Sequence, residues 1–200
     1  MTTATLFPTA VEIVTDTVRG LDRLDLAAPT PCAEFDAAGL IGHFSGTAEA
    51  LGRIGRGEPL DAENPWGRGG PATEDWNLRL AASLDRLGEA WAEAGAWQGS
   101  VDFGTSEMPA EAVGQMAFAE ALLHGWDLAR AGGRTFTVPE PVGAELLRFV
   151  AGTAELGRTM GAYGDEVTVP SDRPSFDRAL GQAGRNPAWP QPTTPEPGAP

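Results

Sequence analysis

The strongest constraint on this chain is a 3.6-residue rhythm of apolar side chains, broken repeatedly by glycine and proline. Val11, Val14, Val18 and Leu21 recur at steps of three, four and three, which predicts a helix over 5–23 with one buried stripe. The prolines of LAAPTPCAEFD forbid its continuation, and Asp36 is suited to cap a second helix over 37–56. There Leu40, Phe44, Leu51 and Ile54 share a face, with His43 at its margin, about 60° from Leu40. A third helix over 73–95 opens on Thr73, carries Glu74 and Asp75 in its first turn and buries Leu80, Leu84, Leu87 and Trp91. A fourth spans 110–131. A fifth spans 140–161, with Val142, Leu146, Phe149, Val150 and Met160 as its stripe, and SFDRALGQAG forms a short last helix. A short extended piece fits Ser100–Phe103. GEPLDAENPWGRGGPA reads as a loop or lid, with Trp66 its one large apolar residue. The expected architecture is all-α: a helix bundle in one domain over 1–187, followed by a disordered, proline-rich tail over 188–200.

Composition excludes several functions. No run of eighteen apolar residues exists, so no transmembrane helix is expected. MTTATLFPTAVEIV lacks a basic region ahead of an apolar one, so a cytoplasmic location is expected. The single cysteine, Cys32, allows neither an internal disulfide nor a Cys-rich metal site. The net charge is −14, and all fourteen basic residues are arginine. Without lysine, neither a Schiff base nor a P-loop can form. The acidic balance argues against nucleic acid and anionic membrane as partners and leaves small molecules. Oligomeric state is not encoded in any pattern here.

Only two histidines occur, and both lie in apolar helical stretches. His124 follows Glu120 by four residues, so both project from one helix face. Met116, Glu120, Leu123 and His124 fall within about 100° of arc, on the apolar side. His43 from another helix would complete a set of two imidazoles and one carboxylate around a divalent metal. Three protein ligands and an open position characterise a catalytic zinc site. The competing reading is a packed core histidine and a solvated Glu–His helix pair, a common arrangement. A core-facing carboxylate, however, is costly unless something binds it.

Four segments carry a family resemblance: TPCAEFDAAGLIGHFSG, the GEP after the second helix, AEALLHGWDLARAGG, and GDEVTVPSDRPSFDRALGQAGRNPAW. On these the chain resembles the DinB/YfiT-like metalloenzyme superfamily, in its mycothiol-dependent maleylpyruvate isomerase branch. The resemblance implies a DinB-like four-helix bundle with extra C-terminal helices. It implies His43, Glu120 and His124 as ligands of a divalent metal, zinc first, with nickel or iron also compatible. It further implies mycothiol as a thiol cosubstrate. Phe35 stands where the family usually has tryptophan. Longer isomerase members add a C-terminal domain for which this chain lacks room, so maleylpyruvate itself is a doubtful substrate.

The expected function is a metal-dependent transferase or isomerase that activates a small thiol for attack on a small electrophile. A non-catalytic metal-binding module and a metal-dependent hydrolase remain alternatives, since both need only the same triad. Asp127 is placed either to orient a ligand histidine or to form a surface pair with it. Arg130, six residues after His124, has no assigned role, and Trp126 is expected in the core. Cys32, just ahead of a helix, is open to a nucleophile reading and to that of a buried free thiol.

Overall fold

The computed structural model describes residues 1–60, 72–103 and 106–190. Six helices pack as a bundle: α1 (Thr3–Arg19), α2 (Ala37–Gly55), α3 (Trp76–Ala92), α4 (Ala110–Ala131), α5 (Glu140–Thr159) and α6 (Ser175–Gln182). This is the expected all-α, DinB-like architecture. Each of α1 and α2 packs against both α3 and α4, which closes a four-helix core, while α5 and α6 pair beside it. None of these helices is long and apolar enough to cross a membrane. Trp66 and residues 191–200 lie outside the described residues. Of the expected tail, Trp189 packs against the core, and its carbonyl accepts from Arg130 Nη2.

The expected stripes form the core. Val14, Val18, Leu40, Phe44, Leu80, Leu84, Leu87, Trp91 and Leu146 are each almost wholly buried. Two indole nitrogens of this core are paired, which avoids a desolvation cost. Trp91 Nε1 donates to the Leu51 carbonyl at 3.0 Å, and Trp97 Nε1 to that of Trp91 at 2.8 Å. Helix α1 lies close on α4 because Gly125 has no side chain; a Cβ there would meet Val14 Cγ1 at 2.8 Å.

Four local expectations change. Helix α1 stops at Arg19, capped by Gly20, rather than reaching residue 23. Helix α3 starts at Trp76, not Thr73, because Thr73 and Asp75 bond one another in a preceding turn. Met160 is 74% exposed, since the buried stripe of α5 stops at Val150, with only Gly157 buried beyond it. The extended piece is a strand, Ser100–Asp102, but it pairs antiparallel with a second strand, Glu107–Pro109. The register is Val101 opposite Met108.

Candidate metal centre

Asp36 caps α2 by accepting from the Gly39 amide at 2.8 Å, and this fixes where the helix begins. His43 then emerges from its second turn toward α4. There Glu120 and His124 sit one turn apart, as their spacing dictates. The structure brings all three predicted residues together, with one potential ligand atom from each within 4.8 Å of the others. Glu120 Oε2 lies 3.3 Å from His124 Nε2 and 3.7 Å from His43 Nε2. The two imidazoles meet edge to face, with ring centroids 5.0 Å apart. Phe35 stacks on the His43 ring at 4.9 Å, and Phe44 packs against His124 at 5.7 Å.

The cluster is open on one side only. The His124 side chain is 8% exposed, whereas those of Glu120 and His43 are 32% and 37% exposed. Burial disfavours the charged form of both Glu120 and His124, but their mutual attraction wins. The His124 and His43 imidazoles hold the Glu120 carboxyl far below the usual carboxylate range. Against burial, the Glu120 and Asp127 carboxylates push His124 up to about 9. Glu120 therefore carries full negative charge at neutral pH. Its Oε2 is nevertheless buried without a hydrogen-bond partner, with the His124 and His43 Nε2 atoms 3.3 and 3.7 Å away. A buried charged acceptor without a donor is a position that a cation fits.

Behind His124 the polar groups are fully engaged. Asp127 is completely buried, and its Oδ2 lies 3.1 Å from His124 Nδ1. It is not the surface pair of the competing expectation. Arg185, 4% exposed, grips the same carboxylate through Nε at 3.1 Å to each oxygen and through Nη2 at 2.9 Å to Oδ2. Burial pushes Asp127 up, but Arg185 and then His124 pull it further down, so it is ionised. An ionised carboxylate can only accept. His124 Nδ1 therefore carries a hydrogen, which leaves Nε2 facing Glu120.

The remaining candidates do not join the set of His43, Glu120 and His124. Cys32 Sγ lies near His124 and Asp127, with ligand atoms of the three within 4.8 Å of one another. Burial pushes its thiol up, so it lacks the activation expected of a thiolate beside a helix start. Arg130 reaches away from the cluster, over the Trp126 ring and to the Trp189 carbonyl, and Trp126 is core. Arg185 had no role from sequence spacing, although Gly184 just before it signals a helix end that redirects the chain.

The mycothiol maleylpyruvate isomerase N-terminal domain family matches residues 7–129, from the first turns of α1 to Ala129 on α4. Two uncharacterized proteins of Mycobacterium tuberculosis are similar: MT0763 of strain CDC 1551 / Oshkosh and Rv0738 of strain H37Rv. Each is 28% identical over 167 residues, covering 80% of this chain and 85% of the relative. No solved structure gives a significant match. The chain belongs to the mycothiol maleylpyruvate isomerase N-terminal domain family.

Proposed function

We propose that this family member is a metal-dependent enzyme acting through a small thiol, with His43, Glu120 and His124 holding one divalent cation. A single observation carries the reading. Glu120 Oε2 is buried and unpartnered, between ring nitrogens from two helices at 3.3 and 3.7 Å. Two imidazoles and one carboxylate suit zinc, and accept nickel or iron. When bound, such a cation supplies a Lewis-acid position at which a thiol gives up its proton near neutral pH.

The chain's own groups prepare that position. Asp127 holds the hydrogen on His124 Nδ1 and directs Nε2 toward Glu120. Phe35 fixes the plane of His43, and Phe44 keeps water from the inner side of His124. The exposed edges of His43 and Glu120 leave the approach from solvent to the substrate. Family membership supports mycothiol as the thiol. The reaction class is then thiol transfer to a small electrophile, or thiol-assisted isomerisation of a cis double bond.

The test is consumption of mycothiol with a generic aryl halide, by metal-loaded protein, chelated protein and Glu120→Gln. Turnover should appear only in the loaded wild type and return when zinc is restored to the chelated sample. Glutathione should serve poorly. Ester or amide hydrolysis without thiol, lost in His124→Ala, would assign the hydrolase reading instead. Full metal occupancy in His43→Ala or His124→Ala would remove the ligand set altogether.

A further inference from the structure

We infer that Arg185 is a positioning residue of the metal centre: through Asp127 it fixes the His124 imidazole, which makes the segment after α6 part of the site. The inference rests on the reading of His124 as a ligand.

Arg185 and Asp127 form a buried ion pair, and such pairs are rarely the most stable way to fill a core. An apolar pair of similar volume would pack the junction between α4 and α6 at least as well. What an apolar pair cannot do is hold a carboxylate ionised and immobile behind an imidazole. The guanidinium is suited to that task. Nε and Nη2 engage both Asp127 oxygens, while Nη1 is tied to the Ala183 carbonyl at 3.0 Å. With both ends of the fork occupied, neither Arg185 nor Asp127 can rotate, and the acceptor for His124 Nδ1 stays in place.

The backbone is built to deliver this side chain. Helix α6 ends in a Schellman motif, in which the Arg185 amide donates to the Leu180 carbonyl at 2.9 Å and the Gly184 amide to that of Gly181 at 3.0 Å. Gly184 adopts φ +82°, and a Cβ there would lie 2.6 Å from the Gly164 backbone. Only glycine both makes the left-handed turn and fits the gap. That turn directs residue 185 inward to α4 instead of outward to solvent. The matched family segment ends at residue 129, so Arg185 acts on it from outside. Whatever binds at His124 Nε2 is therefore coupled to docking of the α6 end, and linkage makes the coupling reciprocal.

The experiment is zinc affinity by competition with a chromophoric chelator, paired with hydrogen exchange at the Arg185 and Gly184 amides. Arg185→Met should weaken zinc by about 10–100-fold, the usual effect of losing a partner behind a metal ligand. Arg185→Lys, which keeps the charge but not the fork, should fall between that variant and wild type. Gly184→Ala should weaken zinc without altering any side chain of the centre. In an Asp127→Asn background, Arg185→Lys should cost little more, because its route to His124 is already broken. Zinc should slow exchange at the two amides in wild type and not in Arg185→Lys. If Arg185→Met does not fold, the Lys, Ala and Asn variants decide the matter. Wild-type affinity and exchange in folded Arg185→Lys and Gly184→Ala would overturn the inference alone. Zinc binding indifferent to His43, Glu120 and His124 would overturn the ligand reading, and the inference with it.

Discussion

Glu120 and Asp127 are two carboxylates on one helix, both beside His124, and they are used in opposite ways. Asp127 is wholly buried and accepts from Arg185 and His124 at once. Glu120 is a third exposed, and its inner oxygen has no partner. Burial penalises both charges, and the neighbouring imidazoles, with Arg185 beside Asp127, hold both ionised. The difference is completeness. A satisfied carboxylate is structural and can only be lost; an unsatisfied one has capacity left to bind something.

The sharpest way to break this contrast is to remove each carboxylate in zinc-free protein and measure urea unfolding. Asp127→Ala leaves Arg185 buried and unpaired, so it should cost about 3–5 kcal/mol. Glu120→Gln loses the attraction to His124 but no hydrogen bond, at a group one-third exposed, so it should cost less, on the order of 1–2 kcal/mol. Equal losses would mean that Glu120 is structural too. The next largest effect is metal removal. At free zinc near 100 times Kd, binding adds about 2.7 kcal/mol. Chelation should therefore lower Tm by roughly 5–10 °C for a chain of this size. Glu120→Gln should show no such drop, and a drop in that variant would place the metal elsewhere.

Acid unfolding sharpens the Asp127 side. A carboxyl lowered in the fold adds stability above about pH 4, its ordinary unfolded value, and that stability drains as pH falls through the folded value. Asp127 is lowered by Arg185 and His124 against the pull of burial. Wild-type stability should thus fall on acidification below that point, and Asp127→Asn, already less stable, should fall less steeply. Parallel curves would show that the pair adds nothing pH-dependent. The smallest effect tests the open side. Phe35→Ala removes the stack on His43, and aromatic pairs contribute about 0.5–1.5 kcal/mol beyond burial. Competition titration should find zinc weakened by up to about tenfold, beside a loss of about 1–2 kcal/mol in the zinc-free protein from the stack and the core packing of Phe35.

Most of the bundle was legible because its helices are amphipathic, start after prolines such as Pro109, Pro139 and Pro174, and mostly end beside a glycine. Asp36 acts as the cap its sequence position suggested, and the α2 and α4 stripes point where their periodicity requires. His43 is the candidate partner of Glu120 and His124 because only two histidines occur, and the family resemblance strengthens that pairing, since no local pattern relates one helix to another. Arg185 was hidden for the same reason. Its burial is created by a partner 58 positions away, and arginine near a helix end is ordinarily solvated. The clue was Gly184, whose left-handed conformation turns the chain inward. Met160 misled because it continues the stripe of α5 past the end of its partners. The second strand escaped because three residues carry too little periodicity to register.

Three of the five polar groups at this centre, Glu120, His124 and Asp127, ride on the single helix α4, within two turns of one another. Their mutual arrangement is inherited from the helix itself and needs no loop to maintain it. The heritable description of the centre is therefore brief: one short word in α4, plus single letters at His43 and Arg185. Descendants of such a chain are free to rewrite every loop but the Gly184–Arg185 turn, to lengthen them or to exchange them for new specificity. The centre would survive each revision, because the grammar that spells it is the pitch of one helix.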